Sequence, residues 1–292
     1  MSIFLNEYLK DQFGEKVYKL ALSAVKTCPN RDGTVGERGC IFCGEDGSGS
    51  FASPAAMSIT DQIEFAKAKI KAKTKAKKFI AYFQSFTNTY APIEYLEKIF
   101  FEAVSNPEIV ILSIATRPDC LPPEVLDLLA RLNRIKPVWV ELGLQTIHCK
   151  TAEYIRRGYP LSCYDTAVKN LKKIGVKVIT HIIIGLPFES EEMIVKTADY
   201  IGKSGADGIK LQLLHVLKGT DLEKDYLAGK FKCLTLEEYT KILKSCLNIL
   251  PDNMVVHRIT GDGDKRKLVA PLWSADKKTV LNYINKELSA AN

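Results

Sequence analysis

A chain of 292 residues can form one large α/β domain or two small ones, and 46% hydrophobic with 26% charged residues suits a globular protein with a sizeable core. No apolar run reaches the ~18 to 20 residues of a membrane span, and residues Met1 to Asp11 lack a basic patch followed by an apolar stretch, so a cytoplasmic protein with no membrane partner is expected. A net charge of +7 is compatible with a nucleic-acid partner without requiring one, and eight cysteines in a reducing compartment point to metal or catalysis before disulfides.

Val17 to Ala24 alternates apolar and polar residues and reads as a first strand running into a cysteine-bearing loop. Thr60 is placed to cap a helix reaching Lys77, followed by an aromatic strand from Phe79 to Gln84. Pro92 opens the next helix, which stops near Asn106–Pro107, and Ile109 to Ala115 is a continuous apolar strand of the doubly buried kind. A helix from Pro123 to Leu132 leads to a strand from Val138 to Leu142. Helices over Thr146–Arg156 and Ser162–Ile174 precede the very apolar strand Val176–Ile184, broken by Gly185-Leu186-Pro187. A helix from Glu191 to Lys203 and a strand from Gly208 to Leu214 complete six strands alternating with helices.

Such alternation implies a parallel sheet with helices outside. Six units are too few for a closed eight-stranded barrel, so the expected fold is α/β, a partial (β/α)6 TIM-type barrel with functional residues at the C-terminal strand ends. The barrel would occupy residues 1–215, and residues 216–292 would form an α/β extension packed on it. That extension carries a helix from Thr235 to Leu250, a short strand from Val255 to Arg258 and a last helix from Lys277 to Leu288. The lysines between Lys67 and Lys78 read as the solvated face of an outer helix.

The loop from Cys28 to Cys43 is the most informative segment. Cys40 and Cys43 are spaced to reach one metal centre, and the Gly-, Asn- and Pro-rich stretch upstream can fold back to bring Cys28 beside them. Thiolates serve both zinc and Fe–S clusters. Structural zinc needs a fourth ligand, for which Cys120 and Cys149 are the candidates; a four-iron cluster on three thiolates leaves one iron open. The remaining cysteines read as reduced, partly buried side chains.

Cys28-Pro-Asn-Arg-Asp-Gly-Thr followed by Gly39-Cys40-Ile-Phe42-Cys43 resembles the radical S-adenosylmethionine (SAM) superfamily. It is most similar to the branch related to the radical SAM domain of the elongator catalytic subunit and to the oxygen-independent coproporphyrinogen oxidases. The resemblance runs from Phe13–Gly14 to His257-Arg-Ile-Thr-Gly-Asp-Gly263. It implies that Cys28, Cys40 and Cys43 hold a [4Fe–4S] cluster, and that SAM lies across the strand ends. Gln84 and Ser85, where the superfamily has Gly-Gly-Glu, would accept from the SAM ammonium. From the fourth strand, Glu141 is placed among the cofactor contacts, Gln145 would bond the ribose hydroxyls, and Arg157 would grip the carboxylate, with Arg156 as its neighbour and rival. Ile184 and the following Gly-Leu-Pro would pack on adenine.

The chemistry so implied is reductive cleavage of SAM to methionine and a 5′-deoxyadenosyl radical that abstracts hydrogen from an unreactive carbon, with flavodoxin or ferredoxin as electron donor. The relatives suggest tRNA as substrate, at the wobble uridine, with Tyr82, Phe86, Tyr90 and His215 as candidate base contacts. A small-metabolite substrate, or a zinc- or cluster-bearing RNA-binding module, remain alternatives.

Overall fold

The computed structural model describes residues 3–45, 47, 52–72, 74–261 and 263–289. In chain order the elements are β1 (Ile3–Phe4), α1 (Leu5–Phe13), β2 (Val17–Leu22), α2 (Ile59–Ile70), β3 (Lys78–Phe83), α3 (Ile93–Ser105), β4 (Ile109–Thr116), α4 (Pro123–Asn133) and β5 (Val138–Gln145). Then come α5 (Cys149–Tyr154), α6 (Leu161–Lys173), β6 (Lys177–Ile184), α7 (Glu191–Lys203), β7 (Gly208–Leu213), β8 (Val216–Leu217), α8 (Asp221–Leu227), α9 (Leu236–Ile249), β9 (Val255–Arg258), β10 (Leu268–Ala270) and α10 (Lys277–Ser289).

Eight parallel strands, rather than six, make one curled half-barrel in the order β1-β9-β7-β6-β5-β4-β3-β2. The two extra strands come from the chain ends. β9, in the segment expected to be an extension, pairs with β7, and β1 pairs with β9. Among the described residues no helix is long and apolar enough to cross a membrane. The helix expected over Thr60–Lys77 is shorter: Ser58, not Thr60, caps it by accepting from the Asp61 N–H, and it stops at Ile70. Lys71, Lys75 and Lys77 therefore lie beyond it, and Lys73 lies outside the described residues.

Period-two alternation sorts every strand into an outward face packed on helices and an inward face that builds the barrel in layers. The outward face joins Phe83, Leu112, Val140, Ile182 and Leu211 to Phe100, Leu128, Tyr164 and Leu243 in one continuous core. Inside, at the N-terminal ends of the strands, Val17, Ile80, Ile111, Trp139 and Ile179 pack with Leu9 from α1. Helix α1 thus plugs the bottom of the barrel; it ends where Gly14, at φ +71°, closes a bond from its N–H to the Lys10 carbonyl. The sequence reading missed this helix.

Two residues further along each strand the inward face becomes charged. Glu141 of β5 is completely buried, and both its oxygens are taken. Lys19 of β2 (2.8 Å) and Ser113 of β4 (2.8 Å) donate to Oε1, while His181 of β6 (2.7 Å) and Lys210 of β7 donate to Oε2. The Lys210 ammonium also donates to the Tyr82 hydroxyl, 3.1 Å away. Burial opposes ionisation of Glu141, but the Lys19 and Lys210 charges and the His181 donor outweigh it and hold the carboxyl well below the usual range.

Burial, joined by the charge of Lys210, pushes His181 down to about 4 despite its bond to Glu141. Between that value and the unfolded histidine's ~6.5, only the unfolded chain binds the proton, so this group's contribution to stability falls as pH falls through the window. Urea midpoints should therefore drop from pH 7 to pH 5, and drop less in His181→Gln, which keeps a donor toward Glu141. The same drop in both proteins would remove His181 as its source.

Candidate functional site

Above the charged layer, at the C-terminal strand ends, the half-barrel opens into a cavity of about 280 Å³. Cys28, Cys40 and Cys43 all line it, and the loop carrying them is tightly tied. The Cys28 carbonyl accepts from the Arg31 N–H at 2.8 Å, and the Cys40 carbonyl from the Cys43 N–H at 3.0 Å. Arg31 donates through its side chain to the carbonyls of Cys43 (3.1 Å) and Gly44 (2.6 Å).

The buried Asn30 amide reaches across to the β5–α6 connection, donating to the Arg156 carbonyl at 2.6 Å and lying 3.4 Å from the Cys40 sulfur. Gly158 must lack a side chain for this docking, since a Cβ there would sit 2.6 Å from Asn30 Oδ1 and 2.7 Å from Val35. Burial pushes the Cys40 thiol up to about 11, with neighbouring Cys43 adding to the shift, so thiolate ligation there has to displace a proton.

Among the described residues no three His, Cys, Asp or Glu side chains are arranged to hold a single metal ion. The two cysteines considered as a fourth zinc ligand are elsewhere: Cys120 is buried beside Asp119, and Cys149 is exposed at the start of α5. Neither lines the cavity.

The other expected site residues separate clearly. Gln84, Gln145 and Arg157 line the cavity with the cysteines. Gln145 ends β5 at a register shift, with φ +69°, a conformation costing about 1–3 kcal/mol for a residue with a side chain. Its Oε1 is buried without a hydrogen-bond partner. The Arg157 guanidinium is buried, held by the carbonyls of Tyr159 (3.0 Å) and Thr146 (2.6 Å), and stacks over the Tyr159 ring. Arg156 points elsewhere, to Asp221 at 2.6 Å, and does not line the cavity. Arg117 lines it too, oriented by a two-bond pair with Asp119 and by the Arg157 carbonyl.

Three of the expected residues do not line the cavity. Ser85 is turned away from the cavity, bonded to the Ser23 hydroxyl at 2.9 Å. Ile184 faces the outer helix core and is fully buried there; alternation puts Ile183, with His181, on the cavity side. Tyr90 bonds the Thr34 hydroxyl at 2.9 Å and lines an outer groove, whereas Tyr82, Phe86 and His215 do line the cavity. Glu141 lines it as well, but from the charged layer, with both oxygens occupied.

Sequence reading missed Asn30, His181 and Arg258 as residues serving the cavity. For His181 the available signal was a polar residue midway along an apolar parallel strand, whereas Arg258 ends β9. It also underrated Gly261 and Gly263. A Cβ at Gly261 would stand 2.4 Å from the His215 ring and one at Gly263 3.2 Å, so both glycines lie close against His215; Asp262 lies outside the described residues.

The chain is 46% identical to the uncharacterized protein YtqA of Bacillus subtilis over 97% of its own length and 88% of that protein's. The tRNA uridine(34) acetyltransferase of Methanocaldococcus jannaschii is 30% identical over 52% of this chain and 28% of its own length. The structure of an N-terminally truncated archaeal Elp3 from Methanocaldococcus infernus shares the fold, with a TM-score of 0.68 at 22% identity, covering 93% of this chain and 63% of that one. A model of the Radical_SAM C-terminal domain matches residues 206–290, and the model of the radical SAM superfamily matches residues 28–201. The chain belongs to the radical SAM superfamily, enzymes that work with a [4Fe–4S] cluster and S-adenosylmethionine.

Proposed function

We propose that the cavity binds the cluster through Cys28, Cys40 and Cys43, binds SAM through Gln84, Gln145 and Arg157, and acts on tRNA at the C5 side chain of the wobble uridine. The observation that carries the cofactor assignment is Gln145: a buried amide oxygen without a partner, held by a strained backbone in the wall that also presents three thiols. An amide can accept from one hydroxyl of a diol and donate to the other, so the residues present fit the group. When bound, the cluster and SAM supply an electron and a carbon-centred radical.

The protein's own work is placement. Asn30 ties the Cys40 loop to the turn carrying Arg157, so thiolates and guanidinium keep one spacing. The Arg157 guanidinium is held by neutral carbonyls and the Tyr159 ring, so a carboxylate arriving there meets a cation bonded to uncharged groups. Ile183, Ile155 and Leu214 give the cavity apolar walls that exclude water from the reacting centre.

Support for tRNA comes from the similarity to the tRNA uridine(34) acetyltransferase and from the rim of the cavity. Phe86 and His215 offer rings there, and Arg266, bonded to the lining Asp264 at 2.8 Å, brings positive charge to the edge. Phosphate contacts of this kind give affinity more than specificity.

Cys43→Ala should lose the iron–sulfur absorbance and SAM cleavage together. Nucleoside mass spectrometry of tRNA from cells lacking the gene should show a changed wobble-uridine profile. An unaltered profile, with SAM cleavage by the purified enzyme indifferent to added tRNA, would favour a small-metabolite substrate.

The two neighbouring isoleucines give a sharper check on the adenine side. Ile184→Ala should cost about 2–5 kcal/mol of stability and leave SAM affinity unchanged, as for a cavity in the outer core. Ile183→Ala should cost less stability and weaken SAM binding, measured by equilibrium dialysis; the reverse pattern would exchange their roles.

A further inference from the structure

A side-chain amide rotated by half a turn exchanges its donor and acceptor ends, so a neighbour has to decide which end a substrate meets. Gln212 of β7 is such a group. It lines the cavity two residues along the strand from Lys210, about 6–7 Å nearer the mouth, and is the register partner of Ile183. Its Nε2 lies 3.3 Å from His181 Nδ1.

The charged layer below decides the orientation. The Glu141 carboxylate is ionised and can only accept, so the His181 nitrogen 2.7 Å from it, Nε2, carries the ring proton. The opposite tautomer would set a bare nitrogen against a carboxylate oxygen. Because burial keeps the ring neutral at pH 7, Nδ1 has only a lone pair, and the group facing it must donate. The Gln212 amide meets that demand only with its NH2 turned toward His181 and its carbonyl turned away. Among the described residues nothing donates to that carbonyl oxygen. Gln212 points inward from a strand flanked on both sides by β9 and β6, so the open space beside it is the cavity.

We propose that Gln212 is a specificity residue whose carbonyl oxygen accepts a hydrogen bond from an N–H of the substrate, with His181 and Glu141 acting through it as positioning residues. The wobble uracil fits, because its ring N3–H is a donor between two carbonyl groups. The second N–H of the Gln212 amide can return a bond to one of them. This choice of base rests on the tRNA reading; the orientation of the amide does not.

Two measurements on the anaerobic holoenzyme, saturated with SAM and without reductant, test the two parts separately. Nitrogen NMR of isotope-labelled histidine, with His181 assigned among the four histidines by its loss in His181→Gln, should show a protonated Nε2 and a bare Nδ1. A protonated Nδ1 overturns the proposal. Fluorescence anisotropy then compares an anticodon stem-loop RNA carrying uridine at the wobble position with one carrying 3-methyluridine there, which lacks the donor. The wild-type protein should bind the methylated RNA about five- to tenfold more weakly, as for one lost hydrogen bond. Gln212→Met should bind the two alike. Gln212→Glu, which keeps an acceptor, should still discriminate and should drive His181 to its doubly protonated form. A merely space-filling Gln212 would make the Met and Glu variants behave alike. SAM affinity serves as the control for folding. Equal binding of both RNAs by the wild-type protein, or discrimination that survives in Gln212→Met, overturns the acceptor role. If neither stem-loop binds more tightly than an unrelated hairpin, the tRNA reading fails instead, and the proposal stands or falls on the histidine spectra of the wild-type protein and Gln212→Glu.

Discussion

The Glu141 carboxylate accepts hydrogen bonds from four strands other than its own, β2, β4, β6 and β7, and the geometry of the half-barrel follows from that convergence. An open parallel sheet has no closing pair of strands to fix its curvature. Here β1 and β2 end the sheet without pairing to each other. A single buried acid reaching both flanks of the sheet ties Lys19 on the edge strand to Lys210 five strands away in the order. Burial of such a group is weak evidence for stability as such, since desolvation offsets most of the attraction. Loss of Glu141 alone would nonetheless leave the buried Lys210 amine without its carboxylate partner, at a cost of about 3–5 kcal/mol. What the acid provides is a particular curvature, held by directional bonds where an apolar filling would allow several.

The same layer separates two functions of the barrel interior. Below it, Leu9, Val17, Ile80, Ile111 and Trp139 form a dry plug under α1. Above it, the barrel opens into the cavity that Cys28, Cys40 and Cys43 line. A continuous apolar interior would tend to collapse on itself, because burying apolar surface is favourable wherever side chains can meet. Charged groups that already have partners resist that collapse, and their side chains define a floor.

Much of this order was legible in the sequence, because strand and helix periods differ and the apolar runs are long. The alternation of β and α, the helix from Glu191 to Lys203 and the strand from Val255 to Arg258 all stand at the expected residues. The cysteine spacing and Gln145 with Arg157 also lead to one cavity. What failed to read was phase and pairing. Ile182, Ile183 and Ile184 are chemically identical, so only the neighbouring His181, turned inward by Glu141, fixes which of them faces the cavity. The strand β9 was visible but its partner was not, since nothing local to Val255–Arg258 announces that Gly208–Lys210 will pair with it. Helix α1 was missed because a nine-residue helix gains its stability from the barrel bottom it covers rather than from its own sequence.

The placement of strain points the same way. Among the described residues, four with side chains adopt left-handed backbone conformations: Phe86, Gln145, Arg156 and Phe188. Gln145 ends β5, Phe86 and Phe188 follow β3 and β6, and Arg156 follows α5; none lies at the barrel bottom. Phe86 and Gln145 line the cavity, while Arg156 offers its carbonyl to Asn30 of the cysteine loop. Such conformations persist only where surrounding contacts over-determine them. The layered interior supplies that support: a plug and a tied charged layer make the lower strands rigid, so the strand ends above can hold side chains in costly but fixed positions. Rigidity at the floor is therefore what allows preorganisation at the mouth.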